Sequence, residues 1–425
     1  MIKSSFLKSK LFQNISKLTL GNGFGELLVI LSVPVISRIY TPKEIGIFMF
    51  FFSISDILSN IVIGKYESAI IISKNKKEAI NIVISTISLT LINSVILSLF
   101  FLFFGKYFIN YFGFNDISEF SFLSIPLLIT SLNFYKIIDH WNNYNRNYLI
   151  MAYSKFLQKV LLVTIQIIFS FFGFFGLLIG RFISQILSGF YLLIRSLHLI
   201  SNFNFKELSI KSNFDTLKKY SEFPIFYLPS NLSNRISYNL PNITFSKLFN
   251  TEITGLYSLS YRLLASPMGI IMSAIGQVFY KEASVIHTKN TKKLYSFLKN
   301  FYLNTFLIGI IPFAILFFIS PYLFPIILGD EWKMSGIYIQ LLIPWLFLVF
   351  LNSPVTSILI ILKKQKELFY YEFTSMITRV IVVVLSALFL KNSLYTVGFY
   401  SLAGFLFSLF LLIYIIKTTQ NCSKI

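Results

Sequence analysis

Apolar segments long enough to cross a lipid bilayer recur from about residue 18 to about residue 417, and the polar stretches between them hold most of the Lys and Arg. A spanning helix needs roughly 20 apolar residues, and in lipid its backbone must satisfy its own hydrogen bonds. A chain written this way leaves no length for a soluble catalytic domain, so its work lies within or across a membrane. Only 13% of residues are charged, against about 25% in soluble domains. The net charge of +20 does not point to nucleic acid, because the basic residues are scattered over many short loops and form no continuous basic face. They read as topology signals.

The pattern predicts an all-α integral membrane protein of about twelve helices, at about 18–39, 44–66, 80–104, 120–140, 152–172, 176–196, 223–246, 253–278, 298–319, 335–361, 372–390 and 396–417. Gly173-Phe174-Phe175-Gly176 supplies the turn between the fifth and sixth. Without that break the segment is too long for one span. With the N-terminus inside, the inner segments carry 22 Lys and Arg, and the outer ones carry six: Arg38, Lys43, Lys106, Lys247, Lys333 and Lys391. The asymmetry places both termini in the cytoplasm and makes the number of crossings even. No cleavable signal is expected, since the first apolar segment is too long for a signal core. Residues 2–17 read either as a short interfacial helix or as a plain basic tail.

The chain also repeats itself. Gly46-Ile47-Phe48, Gly255-Leu256-Tyr257, Gly336-Ile337-Tyr338 and Gly398-Phe399-Tyr400 each open an even-numbered helix. Glycine lets helices approach closely, and the aromatic suits the headgroup level. Gly46 and Gly255 are 209 residues apart, and Pro34 and Pro241 are 207 apart. The spacing predicts two parallel six-helix halves: an N-terminal lobe over 1–196, a basic cytoplasmic linker over 197–222 and a C-terminal lobe over 223–425.

Polar side chains inside a spanning helix are costly and usually face a cavity or one another. At helical spacing, helix seven offers Asn231, Arg235, Tyr238 and Asn242. Helix eight offers Ser258, Arg262, Ser266, Gly269, Ser273 and Gln277. Helix two offers Ser53, Asp56, Asn60, Gly64 and Glu67, and helix one offers Asn22 and Glu26. Under the repeat, helices one and two correspond to seven and eight, so the polar faces fall on two related pairs, as a water-filled cavity between two halves requires. Plainer readings stand beside this one. Serine stripes also form packing surfaces, Lys65 and Glu67 lie where side chains snorkel to the interface, and Lys136 with Asp139, Arg181 with Gln185 and Glu372 with Arg379 read as structural pairs. Arg235 and Arg262 lie at least two turns inside their helices. Two cavity arginines favour an anion, because the guanidinium fork meets phosphate bidentately and stays charged. Asp56 and Glu26 are the candidates for binding a coupling cation or proton, or for neutralising the arginines.

His140, His198 and His287 form no ligand cluster, and Cys422 stands alone, so no metal is expected. No phosphate-cradling glycine loop is present, and no cofactor is expected. The outer stretches near 105–119 and 320–334 are too short for a catalytic domain, so the chain does not read as an enzyme.

Several segments resemble bacterial polysaccharide-biosynthesis flippases: Ser37-Arg38-Ile39-Tyr40-Thr41-Pro42-Lys43-Glu44-Ile45-Gly46, Gly64-Lys65-Tyr66-Glu67-Ser68-Ala69-Ile70, Lys219-Tyr220-Ser221-Glu222-Phe223-Pro224, Arg262-Leu263-Leu264-Ala265-Ser266-Pro267, Gln277-Val278-Phe279-Tyr280 and Leu328-Gly329-Asp330-Glu331-Trp332. They run in order across nearly the whole chain. The resemblance is to the Wzx-type O-antigen or capsule-unit flippases of the multidrug/oligosaccharidyl-lipid/polysaccharide exporter superfamily. It implies two lobes forming a V, with helices one, two, seven and eight lining the cleft. It implies transfer of an undecaprenyl-pyrophosphate-linked oligosaccharide across the bacterial cytoplasmic membrane, for O-antigen, lipopolysaccharide, capsular or other surface polysaccharide. On that reading Arg262 holds the pyrophosphate, with Arg235, Asn231, Tyr238, Asn242, Ser266, Gln277, Asn22 and Asn60 lining the cavity. Glu26 departs from the amide expected at its place. Membrane lipids, a polysaccharide polymerase and a chain-length regulator are the implied partners. A Na⁺- or H⁺-coupled small-molecule exporter of the same superfamily is the first rival, and a membrane polysaccharide polymerase the second.

Overall fold

The computed structural model describes residues 10–114, 116–197 and 210–424, apart from the side chains of 10–22, 210–214, 230 and 424. The tail reading of residues 2–17 lies largely outside these residues, as does His198. Among the described residues there is no strand. The described residues form twelve long helices in succession: α1 (Lys10–Ile39), α2 (Pro42–Ile63), α3 (Lys76–Phe112), α4 (Ser124–Tyr144), α5 (Tyr148–Ile168), α6 (Phe174–Ser196), α7 (Leu228–Leu248), α8 (Thr251–Lys289), α9 (Lys292–Leu328), α10 (Lys333–Asn352), α11 (Gln365–Leu390) and α12 (Ser393–Lys424). Among the described residues ten helices are long and apolar enough to cross a membrane, and α7 is not one of them. In α7 the cause is visible in its sequence, which places Asn, Ser and Arg on successive turns.

Local chemistry sets the helix ends. Asn75 opens α3 by accepting the Glu78 N–H, and Asn250 opens α8 by accepting the Ile253 N–H. At the start of α2, Thr41 Oγ1 accepts the Glu44 N–H and Glu44 Oε2 accepts the Thr41 N–H, a reciprocal capping box. Gly113, at φ +74°, ends α3 in the left-handed conformation that glycine adopts without cost. The predicted turn at Gly173 is present: Gly173 has φ +59° and α6 begins at Phe174.

Two expected spans end early. The helix expected to reach residue 66 stops at Ile63, where Gly64 and Lys65 both take positive φ. The helix expected over 335–361 stops at Asn352, and only a short turn, Ile358–Ile361, resumes. Pro354 accounts for the second break through its missing backbone donor: Ser353 still donates to Val349 O, and α10 ends ahead of the proline. Others run long. The 37 residues of α3 and of α9 and the 39 of α8 exceed the roughly 20 that the bilayer core needs, so these helices project beyond it.

The contacts divide the chain into two units: Met1–Tyr40 with Ile47–Asn239, and Thr41–Gly46 with Leu240–Ile425. In the first, α1 packs on α5, α5 on α6, and α4 on α3 and α6. Its core gathers Ala69, Ile70, Ile80, Val83, Ile137, Trp141 and Phe223. A short helix, Ile210–Lys219, packs on α3. There Lys219 pairs with Glu78, and that hydrogen bond holds its ammonium above the ordinary lysine value. In the second unit, α10 packs on α8, α9 and α12. Trp345 meets Tyr400 edge to face at 5.2 Å, and Asn352 Nδ2 donates to Ser408 O at 2.7 Å. Large apolar side chains stand open on the outside, Phe103 at 81%, Phe389 at 80% and Leu31 at 76%. Such surface belongs in lipid, because water-soluble proteins rarely expose extensive apolar patches.

Three of the four repeated glycines are contact points. A Cβ on Gly46 would fall 1.6 Å from Thr251 O, one on Gly255 1.9 Å from Pro42 O, and one on Gly336 2.5 Å from Ser320 O. Gly398 has nothing within 4 Å. The first two form a mutual crossing of α2 and α8 that no side chain could enter.

Candidate functional site

The polar residues of α2 point into the first unit. Ser53, Asp56 and Asn60 are all buried, as is Glu67 in the short turn beyond the end of α2. α2 uses its own backbone to tie part of this stripe together: Asn60 Nδ2 donates to Asp56 O at 2.7 Å and Ser59 Oγ to the same oxygen at 2.9 Å. Asn60 was expected on an open wall. It is instead fully buried, and it braces the turn that carries Asp56.

Around Asp56 the first unit assembles a polar cluster from three helices. From α7, Arg235 Nη1 donates to both carboxylate oxygens of Asp56, at 3.2 and 3.0 Å. Asn239 Nδ2 reaches Asp56 Oδ2 at 3.0 Å and Arg235 O at 3.0 Å. From α4, Lys136 Nζ donates to Ser59 Oγ at 3.0 Å, and Asn133 Nδ2 to Ser59 O at 3.1 Å. The charges acting on Lys136 are those of Asp56, Glu67, Arg235 and Lys65. Glu67 is itself paired with Lys65 at 3.2 Å. The cluster thus holds one cation more than its carboxylates neutralise. Burial is unequal: the Asp56 side chain is 8% exposed, whereas Arg235 is 42% exposed. Arg235 is the member that meets open space.

Lys136 and Asp139 do not pair with each other. Although they are neighbours on α4, Lys136 turns to α2, and Asp139 Oδ2 lies 3.8 Å from Lys155 Nζ of α5. One turn further along α5, Lys159 Nζ donates to Glu26 Oε1 of α1 at 2.5 Å. Both carboxylates considered for ion coupling therefore carry a protein cation. The expected partnership of Arg181 with Gln185 is likewise divided among neighbours. Arg181 lies over the Phe52 ring at 4.8 Å, and Gln185 Oε1 accepts from Ser131 at 2.8 Å. Arg379 lies over Trp345 and donates to Ser375 O.

Of the other α7 residues, Asn231 is half-buried, Tyr238 is exposed and Asn242 is buried. The side chain of Asn22 lies outside the described residues. In the second unit, the α8 stripe runs from closed to open along the helix. Ser258 is buried, Arg262 and Ser266 are half-buried, and Gly269, Ser273 and Gln277 are exposed. Arg262, Ser266 and Gln277 belong to this unit, and Arg235, Asp56, Asn60 and Glu26 to the other.

Three residues, Asn239, Asn133 and Lys159, escaped the sequence pattern, and Lys136 was read only as a partner of Asp139. Asn239 stands four residues after Arg235, the spacing of helical neighbours, yet the stripe through Tyr238 passed it by. Lys136 and Asn133 share a face of α4 at i and i+3. Lys159 follows Lys155 by one turn. Among the described residues no group of three or more His, Cys, Asp or Glu could hold a metal ion.

Among the described residues Arg235 is anchored through one nitrogen and is 42% exposed, with the half-buried Lys136 acting on the same cluster; a guanidinium held this way is suited to receiving an anion. Comparison with known proteins bears on what kind of chain presents it. A solved structure described as the lipid II flippase MurJ in an inward closed conformation is similar at a TM-score of 0.69 and 16% identity, covering 98% of this chain and 90% of that one. A multidrug resistance MATE family transporter of the MOP superfamily, inward-facing, is similar at 0.63 and 12%, covering 95% and 99%. A MOP superfamily transporter from Pyrococcus furiosus, described as having a binding pocket of reverse polarity, is similar at 0.57 and 13%, covering 100% and 99%. These likenesses identify the fold as that of the flippases and transporters. Curated proteins give no match. Residues 35–337 match the family model described as polysaccharide biosynthesis protein, and the chain, a multi-pass all-α membrane protein, belongs to that family.

Proposed function

We propose that this protein is a flippase that carries an oligosaccharide linked to undecaprenyl pyrophosphate from the inner to the outer leaflet of the bacterial cytoplasmic membrane. It works by alternating access and catalyses no covalent step. The observation that carries the reading is Arg235: a guanidinium on α7, 42% exposed and fixed on a buried Asp56, in a chain of the polysaccharide biosynthesis family. The similarity to a lipid II flippase supports a lipid-linked cargo.

In this reading the chain works as two six-helix lobes, 1–196 and 223–425, joined by the basic segment 197–222, with both termini in the cytoplasm. Arg235 and Arg262 are the arginines proposed to take the pyrophosphate. Asn231, Tyr238, Asn242, Ser266, Gln277 and Asn22 offer hydrogen bonds to the sugars, and Asn60 acts through Asp56. The prenyl chain stays in lipid. Glu26 is the carboxylate proposed for ion coupling: it is 29% exposed and has one lysine partner, which a bound cation or proton could replace. A polymerase and a chain-length regulator would act on the delivered units.

The test is surface polysaccharide in cells whose only flippase for it is this protein. Arg235→Ala and Arg262→Ala at normal expression should each deplete surface polymer and leave lipid-linked units inside. Unchanged surface polymer in both variants would refute the pyrophosphate role. A second reading, an ion-coupled exporter of small molecules, is favoured by the likeness to the multidrug transporter. It predicts efflux of drugs or metabolites and no accumulation of lipid-linked sugar.

A further inference from the structure

We infer that Asp56 is a positioning residue, which together with Asn239 aims one edge of the Arg235 guanidinium at a phosphate group. The inference rests on the reading of Arg235 as an anion ligand. Among the described residues Arg235 is bound through Nη1: that nitrogen donates to Asp56 Oδ1 and Oδ2, at 3.2 and 3.0 Å. Asp56 is itself held. Its backbone carbonyl accepts from Asn60 and Ser59, and its Oδ2 accepts from Asn239. Asn239 in turn returns to the Arg235 carbonyl. The carboxylate is 8% exposed while the arginine it holds is 42% exposed, so the anchor is inside and the working edge is outside.

A guanidinium has two forks that can each take an oxyanion bidentately. With Nη1 committed to Asp56, the fork built from Nε and Nη2 remains, and it is the one left to a ligand. An arginine side chain free to rotate would lose rotamer entropy on binding. Fixing it beforehand removes that cost. The arrangement also sets the charge that a ligand meets. Asp56 neutralises Arg235, and Lys136 on α4 remains as the surplus cation, with Lys65 and Glu67 cancelling beside it. The ligand class that fits is a phosphate or pyrophosphate ester. A carboxylate-bearing small molecule would meet the same fork with one negative charge instead of two or three.

The opposite arrangement is physically possible and makes the opposite prediction. If Asp56 occupied the place of the ligand, it would compete, and removing its charge would tighten binding. The experiment measures binding of geranylgeranyl diphosphate to the purified full chain in nanodiscs, with the uncharged prenol as the control. Positioning predicts that Asp56→Ala weakens diphosphate binding about tenfold. Asp56→Asn, which keeps an oxygen to receive Nη1, stays within about threefold of the wild type. Prenol binding does not move in either variant. Asn239→Ala, which leaves the ion pair but removes its second tether, loses about threefold, and it serves where Asp56→Ala fails to fold. Tighter binding in both Asp56 variants would overturn positioning and make Asp56 a competitor. Wild-type binding in Asp56→Ala or in Asn239→Ala, with Arg235→Ala weakened, would overturn it while leaving the arginine reading intact. Wild-type binding in Arg235→Ala would remove both.

Discussion

Arg235 and Glu26 are each one half of an ion pair in the first unit, and their different settings separate two kinds of effect. The Glu26–Lys159 pair is partly buried on both sides, at 29% and 19% exposed. Replacing Glu26 takes a carboxylate partner from the partly buried Lys159, which costs more than the pair itself contributes. Glu26→Gln should therefore lower stability by about 1–3 kcal/mol, read as a reduced melting temperature in detergent. The double variant Glu26→Gln with Lys159→Gln should recover part of that loss. For Arg235 the charge alone is not enough, because Lys presents a point charge where Arg presents a planar fork. Arg235→Lys should fall close to Arg235→Ala in surface polymer, and restoration to wild-type level by lysine would refute fork recognition. The sequence showed Arg235, Asp56 and Glu26 as costly residues inside apolar helices. It could not show who holds them. Asp56 and Arg235 lie 179 positions apart, and Lys159 and Glu26 lie 133 apart. Helical periodicity relates residues on one helix only, and for that reason the proposed pairing of Lys136 with Asp139 failed when each found a partner on a different helix.

The helices themselves were legible because lipid imposes length and apolarity together. Their ends were less so. Hydropathy carried the expected tenth helix through Pro354 and the second through Gly64, where backbone chemistry stops them. It stopped α8 before its polar last turns, Lys281 to Lys289, and it stopped α3 at Gly105 and α9 ahead of Pro321, although both helices continue. The repeated tripeptides gave a real signal of close approach, but sequence weighed all four alike. Structure separates them by what lies opposite the missing Cβ. Gly46→Ala and Gly255→Ala should each destabilise by about 1–3 kcal/mol, since backbone oxygens cannot move aside without shifting a helix. Gly398→Ala should stay within about 0.5 kcal/mol, as expected away from tight contacts. Thermal unfolding of the three purified variants decides this, and equal loss in all three would contradict the crossing of α2 with α8.

At the scale of the molecule, the distribution of Lys and Arg between successive helices gives an orientation that can be checked directly. In a Cys422→Ser background, single cysteines replacing Lys247 or Lys333 should react with a membrane-impermeant maleimide on intact cells. Cysteines replacing Lys76 or Lys363 should react only after the membrane is opened. The reverse pattern would invert the topology. Fold class and the membrane habit followed from composition and periodicity alone, and the family from ordered segments along the chain. The cargo is a chemical choice made by a few side chains, so it has to be asked of the protein itself. The most direct test places the purified chain in liposomes with a fluorescent oligosaccharide linked to a prenyl diphosphate in one leaflet, and follows its exposure to a quencher outside. Wild-type protein should move the lipid between leaflets far faster than protein-free liposomes, and Arg235→Ala should bring the rate down toward that background. A wild-type rate no faster than protein-free liposomes, under an imposed ion gradient as well as without one, would contradict the flippase.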